Sequence, residues 1–457
     1  MYNDIKKYLN QNYHNIYKLD QVFINDLFIE LKTNLKIIGI PNFKLKKSLI
    51  LKDVYKYFIE ILHIDPIIIN ISKRKQPEQR TPEWYDMRYN MVTASDAATV
   101  ITKLENISES EMKHITPHKA FKSKKDLIRT KILRDDIFKG NKYTQHGQIF
   151  EEVASLIYQK RQNTYIIEFG LIKHPTINII GASPDGITKD KIMIEIKAPY
   201  SRVINGLIPS NYWIQMQLQL EVCDLEMCHF IEIKSSMYQS ESDYYNDINP
   251  NNKLLTEEGL EKGVIIRCYN KALGKNLYMY PHIDIYKDFD LLEDWKEKTY
   301  NYNKTVYDDV EICYWKITKY LCSDVKRDKN WFDSNLNKFY DFWKEVDYYK
   351  NNKLEFDKLI LKKSKTQSKN KVLMISDSDS DTETSKKNKV LMISDSDSDT
   401  ETPQKNNQNT KTPQKNNQNT DLNSDLIKNN QNTDLNSDSI KNNQNTDLNI
   451  DLIVNDL

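Results

Sequence analysis

The sequence predicts an α/β protein with a helical front and a low-complexity tail, on three observations. Isoleucine-rich strand text brackets a turn between residues 177 and 197. Helical text at 144–161 and 211–223 stands on either side of it. From residue 364 the chain changes to short polar repeats.

Composition bounds the rest. At 457 residues the chain has material for two or three domains. Lys+Arg at 66 against Asp+Glu at 65 leaves a formal charge of +1, so the whole-chain balance names no partner. The tail beyond 363 holds 11 Lys against 15 Asp and Glu, which leaves the first 363 residues at +5. That is mildly basic and compatible with a phosphate-bearing partner. The five cysteines (Cys223, Cys228, Cys268, Cys313 and Cys322) form no CxxC pair. With a charged start, MYNDIKK, they read as reduced thiols of an intracellular protein. No apolar run approaches the roughly 18 residues that span a bilayer, so no membrane is expected.

In chain order, residues 1–72 read as a helical accessory domain, with apolar residues at helical spacing over 22–31 and 54–62. Residues 73–82 are polar, basic and proline-ended, hence a linker. A main domain follows over 83–290. In it Thr93, Ser95 and Asp96 are N-cap candidates for a helix over 97–101, and hydroxyls at a helix start beside Arg88 suit a phosphate. Helix 144–161 buries Phe150, Val153, Ala154 and Ile157; Glu151 flanks that stripe, while Glu152 is expected to face solvent.

The central hairpin is expected to run from strand 177–180, through a Pro184-Asp185-Gly186 turn with glycine at positive φ, into strand 192–197. Alternation puts Ile192, Ile194 and Ile196 on one face, with Glu195 and Lys197 together on the other. Two carboxylates, Asp185 and Glu195, then meet one ammonium at a sheet edge, a place to hold a hard divalent cation. The helix over 211–223 carries Gln215, Gln217 and Gln219, which need partners if buried.

Further strands are expected at 165–172, 229–233, 264–269 and 277–285. Residues 291–363, rich in Trp and Tyr, read as a helical extension. The tail over 364–457 reads as disordered. It repeats KNKVLMISDSDSDTET at 369–384 and 387–402, then a thirteen-residue unit at 415–427, 428–440 and 441–453. The apolar-then-acidic segments 372–381 and 390–399 resemble SUMO-interacting motifs, which would add a strand to a SUMO-like partner.

The ExK tripeptide of strand 192–197 is weak alone, since about nine such tripeptides are expected by chance at this composition. The ordered set is stronger. EWYDMRYNMVTASDAA, HGQIFEEVA, GASPDG, EIKAP and YWIQMQLQ occur in one order over roughly residues 80–235. This text resembles the lambda-type exonucleases, or YqaJ-like viral recombinase nucleases, a branch of the PD-(D/E)xK superfamily. WKITKY and RDKNWF resemble, less closely, extensions in versions from large eukaryotic DNA viruses.

The resemblance implies a restriction-endonuclease-like core, a central mixed sheet flanked by helices. It implies that Asp185, Glu195 and the Ile196 carbonyl ligate Mg²⁺ (Mn²⁺ as substitute), with Glu151 reaching the metal directly or through water. Lys197 would orient and help deprotonate the attacking water, and Gln215 would support the site, with Gln217 a secondary candidate. Arg88 and Ser95 match positions that hold a terminal 5′-phosphate. Mg²⁺ prefers oxygen ligands and keeps waters, so two or three carboxylates suffice.

The implied activity is a Mg²⁺-dependent 5′→3′ exonuclease on duplex DNA ends, in viral DNA recombination, repair or replication. Implied partners are a single-strand annealing protein and further copies of the chain in a ring-shaped trimer. The expected place is the host cytoplasm or nucleus. The rivals are an endonuclease on the same core and a non-catalytic DNA-binding or scaffold protein.

Overall fold

The computed structural model describes residues 1–361 except 14–18, 20, 78 and 136–140. The repeat tail, with the SUMO-like segments 372–381 and 390–399, lies outside the described residues. The N-terminal region is helical: α1 (Tyr2–Asn12), α2 (Gln21–Ile37), α3 (Lys47–Glu60) and α4 (Pro66–Ser72). Helix α4 begins where Asp65 accepts the Ile67 N–H and Pro66 needs no donor.

The chain then gives α5 (Pro82–Tyr89), β1 (Val92–Thr93), α6 (Ala97–Val100), α7 (Glu109–Met112), α8 (Lys124–Leu133) and α9 (Lys142–Gln162). Asn141 and Thr144 close a capping box at the start of α9. Next come β2 (Ile166–Ile167), β3 (Ile172–Lys173), β4 (Ile180–Ala182), β5 (Gly186–Thr188), β6 (Met193–Lys197) and α10 (Ser210–Cys223). The last part holds β7 (Met227–Met237), α11 (Glu241–Asn246), β8 (Lys262–Asn270), β9 (Lys275–Met279), α12 (Ile283–Tyr286) and α13 (Phe289–Lys304). Strand β10 (Asp309–Lys326) and helices α14 (Lys329–Asn351) and α15 (Lys353–Leu361) complete it.

Two sheets form. The larger is mixed, in the order β2-β5-β6-β7-β10-β8-β9; the smaller is β1-β4-β3. Strand β6 runs parallel to β7 through the α10 crossover, with Glu195 beside Phe230, and the other pairs of the large sheet are antiparallel. Ile194 and Ile196 face the core under α9, whereas Met193 joins the apolar cluster on the α10 side, where Trp213 and Ile214 lie.

The central hairpin differs from the expected one. Residues 177–179 are not strand; the strand is Ile180–Ala182, and it pairs with β1 and β3 in the small sheet. The chain changes sheets at residues 183–185. Gly186 sits inside β5, and it is glycine because a Cβ there would lie 2.2 Å from Ile166 Cγ2 on the neighbouring strand. The reversal comes later, over residues 188–192, where Lys191 takes φ +61° and Thr188 N–H donates to the Ile192 carbonyl at 2.8 Å.

The 291–363 extension is not all helix. Strand β10, with Val310, Ile312, Tyr314, Ile317 and Tyr320, spans 18 residues of it and pairs with both β7 and β8. β-branched and aromatic side chains favour a pleated surface, and the alternation was hidden by their density. Residues 277–285 likewise split into the end of β9 and the short helix α12, and 165–172 into two two-residue strands of different sheets.

Candidate active site

Glu195, in the middle of β6, is fully buried. Three donors hold it. Lys197 Nζ lies 2.5 Å and Gln215 Nε2 2.7 Å from its Oε1, and Gln219 Nε2 lies 2.8 Å from its Oε2. Glutamines four residues apart share a face of α10, so 215 and 219 reach one carboxylate. Gln217, two residues from each, turns away: its amide donates to the Lys326 carbonyl at 2.8 Å and accepts Asp328 N–H at 2.7 Å. It ties the end of β10 to α14 and lies outside the cluster. Gln219 is the residue that the sequence reading left unselected, and its i, i+4 spacing from Gln215 was the available signal.

Asp185 stands where the chain enters the large sheet, and its Oδ2 accepts the Ile196 N–H at 2.7 Å. Burial, then Glu195 and Glu151, push its carboxyl well above the usual range, with Lys197 pulling the other way. Lys197 also donates to the Ile196 carbonyl at 2.9 Å. Burial alone would lower its pKa, but Glu195 and Asp185 outweigh that and hold it well above the ordinary lysine value.

A cavity of about 330 Å³ opens over Asp185 and is lined also by Gln76, Gln79, Arg80, Gln148, Glu151, Glu152 and Glu168. Glu151 therefore reaches this cavity, as expected. Glu152 lines it too, and both side chains are exposed at the mouth of the cleft, which for Glu152 is the expected solvent-facing orientation. Enclosure by the cleft, with Glu168 and Glu151 near, raises Glu152 to about 7. Enclosure likewise raises Glu151, where Lys197 opposes it.

The second expected cluster forms beside the first. Arg88 lies over the Trp84 ring at 4.7 Å from its centroid, with its guanidinium 3.4 Å from Ser95 Oγ. Helix α6 is a single turn, and Asp96 does not cap it. Instead Asp96, 1% exposed, receives Lys131 Nζ at 2.7 Å and Thr93 Oγ1 at 2.8 Å, with Lys122 Nζ at 3.3 Å. Burial would raise its carboxyl, yet Lys131, Lys122 and Arg88 hold it well below the usual range. Lys131, buried with one anion and two cations near it, is pushed down to about 8. A cavity of about 240 Å³ is lined by Arg80, Arg88, Lys122 and Lys131 together with Trp84, Tyr85 and Asp96.

Residues 83–226 match the YqaJ-like viral recombinase domain. Both clusters fall within or beside that match. Uncharacterized protein R354 of Acanthamoeba polyphaga mimivirus is 28% identical over 324 residues, 64% of this chain, and the chain spans 56% of that relative's length. Among solved structures, an alkaline exonuclease from Laribacter hongkongensis is similar at 20% identity, over 62% of this chain and 100% of that one, with a TM-score of 0.33. A phage-related exonuclease from Haemophilus somnus is similar at 15% identity, over 61% and 98%, with a TM-score of 0.28.

Among the described residues no three carboxylate, imidazole or thiolate side chains close around a point as a metal cage would. The donors that fit a hard cation are two carboxylates, Asp185 and Glu195, and the carbonyl of Ile196, which directly follows Glu195 in the chain. Hard oxygen donors with room for waters suit Mg²⁺ better than a softer metal. Burial first, and then the nearby Glu195 and Glu151, raise the Asp185 carboxyl, and a cation would relieve the second of these causes. Lys197 rests on two of these oxygens, so its ammonium and the ion would share them.

Proposed function

We propose that this chain is a Mg²⁺-dependent deoxyribonuclease on a PD-(D/E)xK core, an exonuclease that works 5′→3′ from duplex ends. The observation that carries the reading is the adjacency of two unlike cavities, one walled by carboxylates at Asp185, the other by cations around Arg88. The match of residues 83–226 to the YqaJ-like viral recombinase domain supports it. So does the pairing of an end-sized anion pocket with a hydrolytic one, which an endonuclease does not require. Viral DNA recombination is the setting that the domain's description suggests, and repair or replication of viral DNA is proposed beside it.

Asp185, Glu195 and the Ile196 carbonyl would hold Mg²⁺, with Glu151 reaching it directly or through water. A bound Mg²⁺ supplies a more acidic water and neutralises charge on the departing oxygen. The protein's own groups do the positioning. Gln215 and Gln219 fix the plane of the Glu195 carboxylate. Lys197, kept charged by its carboxylate neighbours, donates hydrogen bonds that orient the water and stabilise developing negative charge; proton removal falls to a carboxylate. Arg88 and Ser95 would seat the terminal 5′-phosphate.

The test uses the full chain, Mg²⁺ and a linear duplex phosphorylated and labelled at either 5′ end, beside a covalently closed circle. Mononucleotides released from the linear DNA alone, and lost in Lys197→Ala, are the expected result. Cutting of the circle would turn the reading to an endonuclease. No cleavage with Mg²⁺ or Mn²⁺ would leave a DNA-binding role.

A further inference from the structure

We infer that Arg80 is a catalytic residue of this nuclease, gripping the phosphodiester next to the seated end and stabilising its charge during hydrolysis. This rests on the nuclease reading above. Three observations carry it. Gln79 and Arg80 are the two residues that line both cavities, so they form the wall between the carboxylate site and the cationic pocket. Arg80 is the one cation among the described residues lining the carboxylate cavity, where Glu151, Glu152, Glu168 and Asp185 gather. Its backbone is left-handed at φ +68°, a conformation that glycine adopts at little cost and a side chain rarely does.

The corner is also held in place. Gln79 donates to Ser183 Oγ at 3.0 Å, two residues before Asp185. Just upstream, Leu171 N–H donates to the Pro77 carbonyl at 3.1 Å. Thr81 caps α5 immediately after, accepting the Trp84 N–H, and that helix carries Arg88. A strand whose terminal phosphate lies at Arg88 must pass this wall to bring its next phosphate to Glu195. A guanidinium offers planar, paired donors that match phosphate oxygens. Placed where charge develops on the phosphoryl oxygens, it acts on the transition state more than on binding.

The test exploits the backbone. Arg80→Gly removes the guanidinium while easing the left-handed corner, so folding, read by circular dichroism and the urea midpoint, is kept or improved. Arg80→Asn, which also tolerates this backbone, is the second variant, and Arg80→Lys retains charge without the planar fork. The substrate is the 5′-phosphorylated linear duplex with Mg²⁺. Expected is a kcat lowered about 100-fold in Arg80→Gly and Arg80→Asn with KM changed less than threefold, a smaller loss in Arg80→Lys, and partial recovery of Arg80→Gly by added guanidinium ion.

Wild-type-like turnover in Arg80→Gly would overturn the inference and leave the nuclease reading intact, as would a loss confined to KM. A wild-type chain with no cleavage under any divalent cation would remove the reading itself, and the inference with it.

Discussion

Glu195 has no contact with bulk water, and two amides and an ammonium take the place of that water around its carboxylate. Removing Gln219 leaves the buried Oε2 without its donor, at a cost of about 1–3 kcal/mol. The two glutamines two residues apart on α10 separate structure from chemistry. Gln219→Ala should lower unfolding free energy by about 2 kcal/mol and turnover by at least about tenfold. Gln217→Ala, which unties Lys326 and Asp328, should lose comparable stability but keep turnover within about threefold. Urea titrations beside initial rates decide it, and equal rate losses in both variants would contradict the assignment.

Asp96 supplies the pH dependence. Its folded pKa lies below the unfolded value, so its stabilising contribution is complete above the ordinary aspartate range and is lost as pH falls through the depressed value. Asp96→Asn should cost about 3 kcal/mol at pH 7, by leaving Lys131 buried without its carboxylate, and the penalty should shrink toward pH 3. A variant whose deficit is flat from pH 7 to pH 3 would contradict this.

At the scale of elements, the site depends on the strap of residues 76–77, which leads into Arg80 and runs against the backbone at Gly170 with no side chain between them. Gly170 lies against residues 76–77: a Cβ on it would come 2.5 Å from the Pro77 carbonyl oxygen and 2.8 Å from that of Gln76. Both obstacles are backbone. Gly170→Ala should therefore displace the strap that leads into Arg80, costing about 1–3 kcal/mol and lowering cleavage more than duplex binding. Urea midpoints and rates measured with binding titrations test it; unchanged rates would show that the strap position is unimportant.

Much of this arrangement was written in alternation. Glu195 and Lys197 face one way between buried isoleucines, and a period of two allows no other outcome for a straight strand. The change of sheets at residues 183–185 was not legible, because Pro-Asp-Gly is also ordinary hairpin text and Gly186 owes its identity to Ile166, twenty residues away. That Glu152, exposed as expected, also lines the cleft was not legible for a related reason. Helical phase locates a side chain on its own helix, but Glu168 and the wall of the cleft come from elsewhere in the chain. Arg80 gave no signal at all within a stretch that reads as linker.

At the scale of the molecule, the helical front and the mixed sheet are joined by apolar packing and by specific bonds. One cluster of buried side chains runs from Ile5 and Leu27 in the N-terminal helices to Trp213, Phe230 and Phe339 around the sheet. Arg74 donates to the Val222 carbonyl at 2.6 Å, and Asp65 N–H to the Lys189 carbonyl at 3.0 Å. Removing residues 1–72 would expose that cluster, so residues 73–457 alone should unfold at lower urea than the full chain and bind more of a hydrophobic dye. An unchanged midpoint would mean that the helices are an appendage.

Strand β10 has a consequence in time. It lies between β7 and β8, which precede it in the chain, and it pairs with one over Trp315–Lys326 and with the other over Asp309–Lys316. During synthesis both earlier strands emerge before their shared neighbour exists. Until Lys326 has been added, each presents a row of unpaired amides and carbonyls, open to any other extended chain nearby. The nascent protein is thus most prone to wrong pairing in the interval between the birth of Asn270 and that of Lys326, and a chaperone that shields strand edges would act in that window.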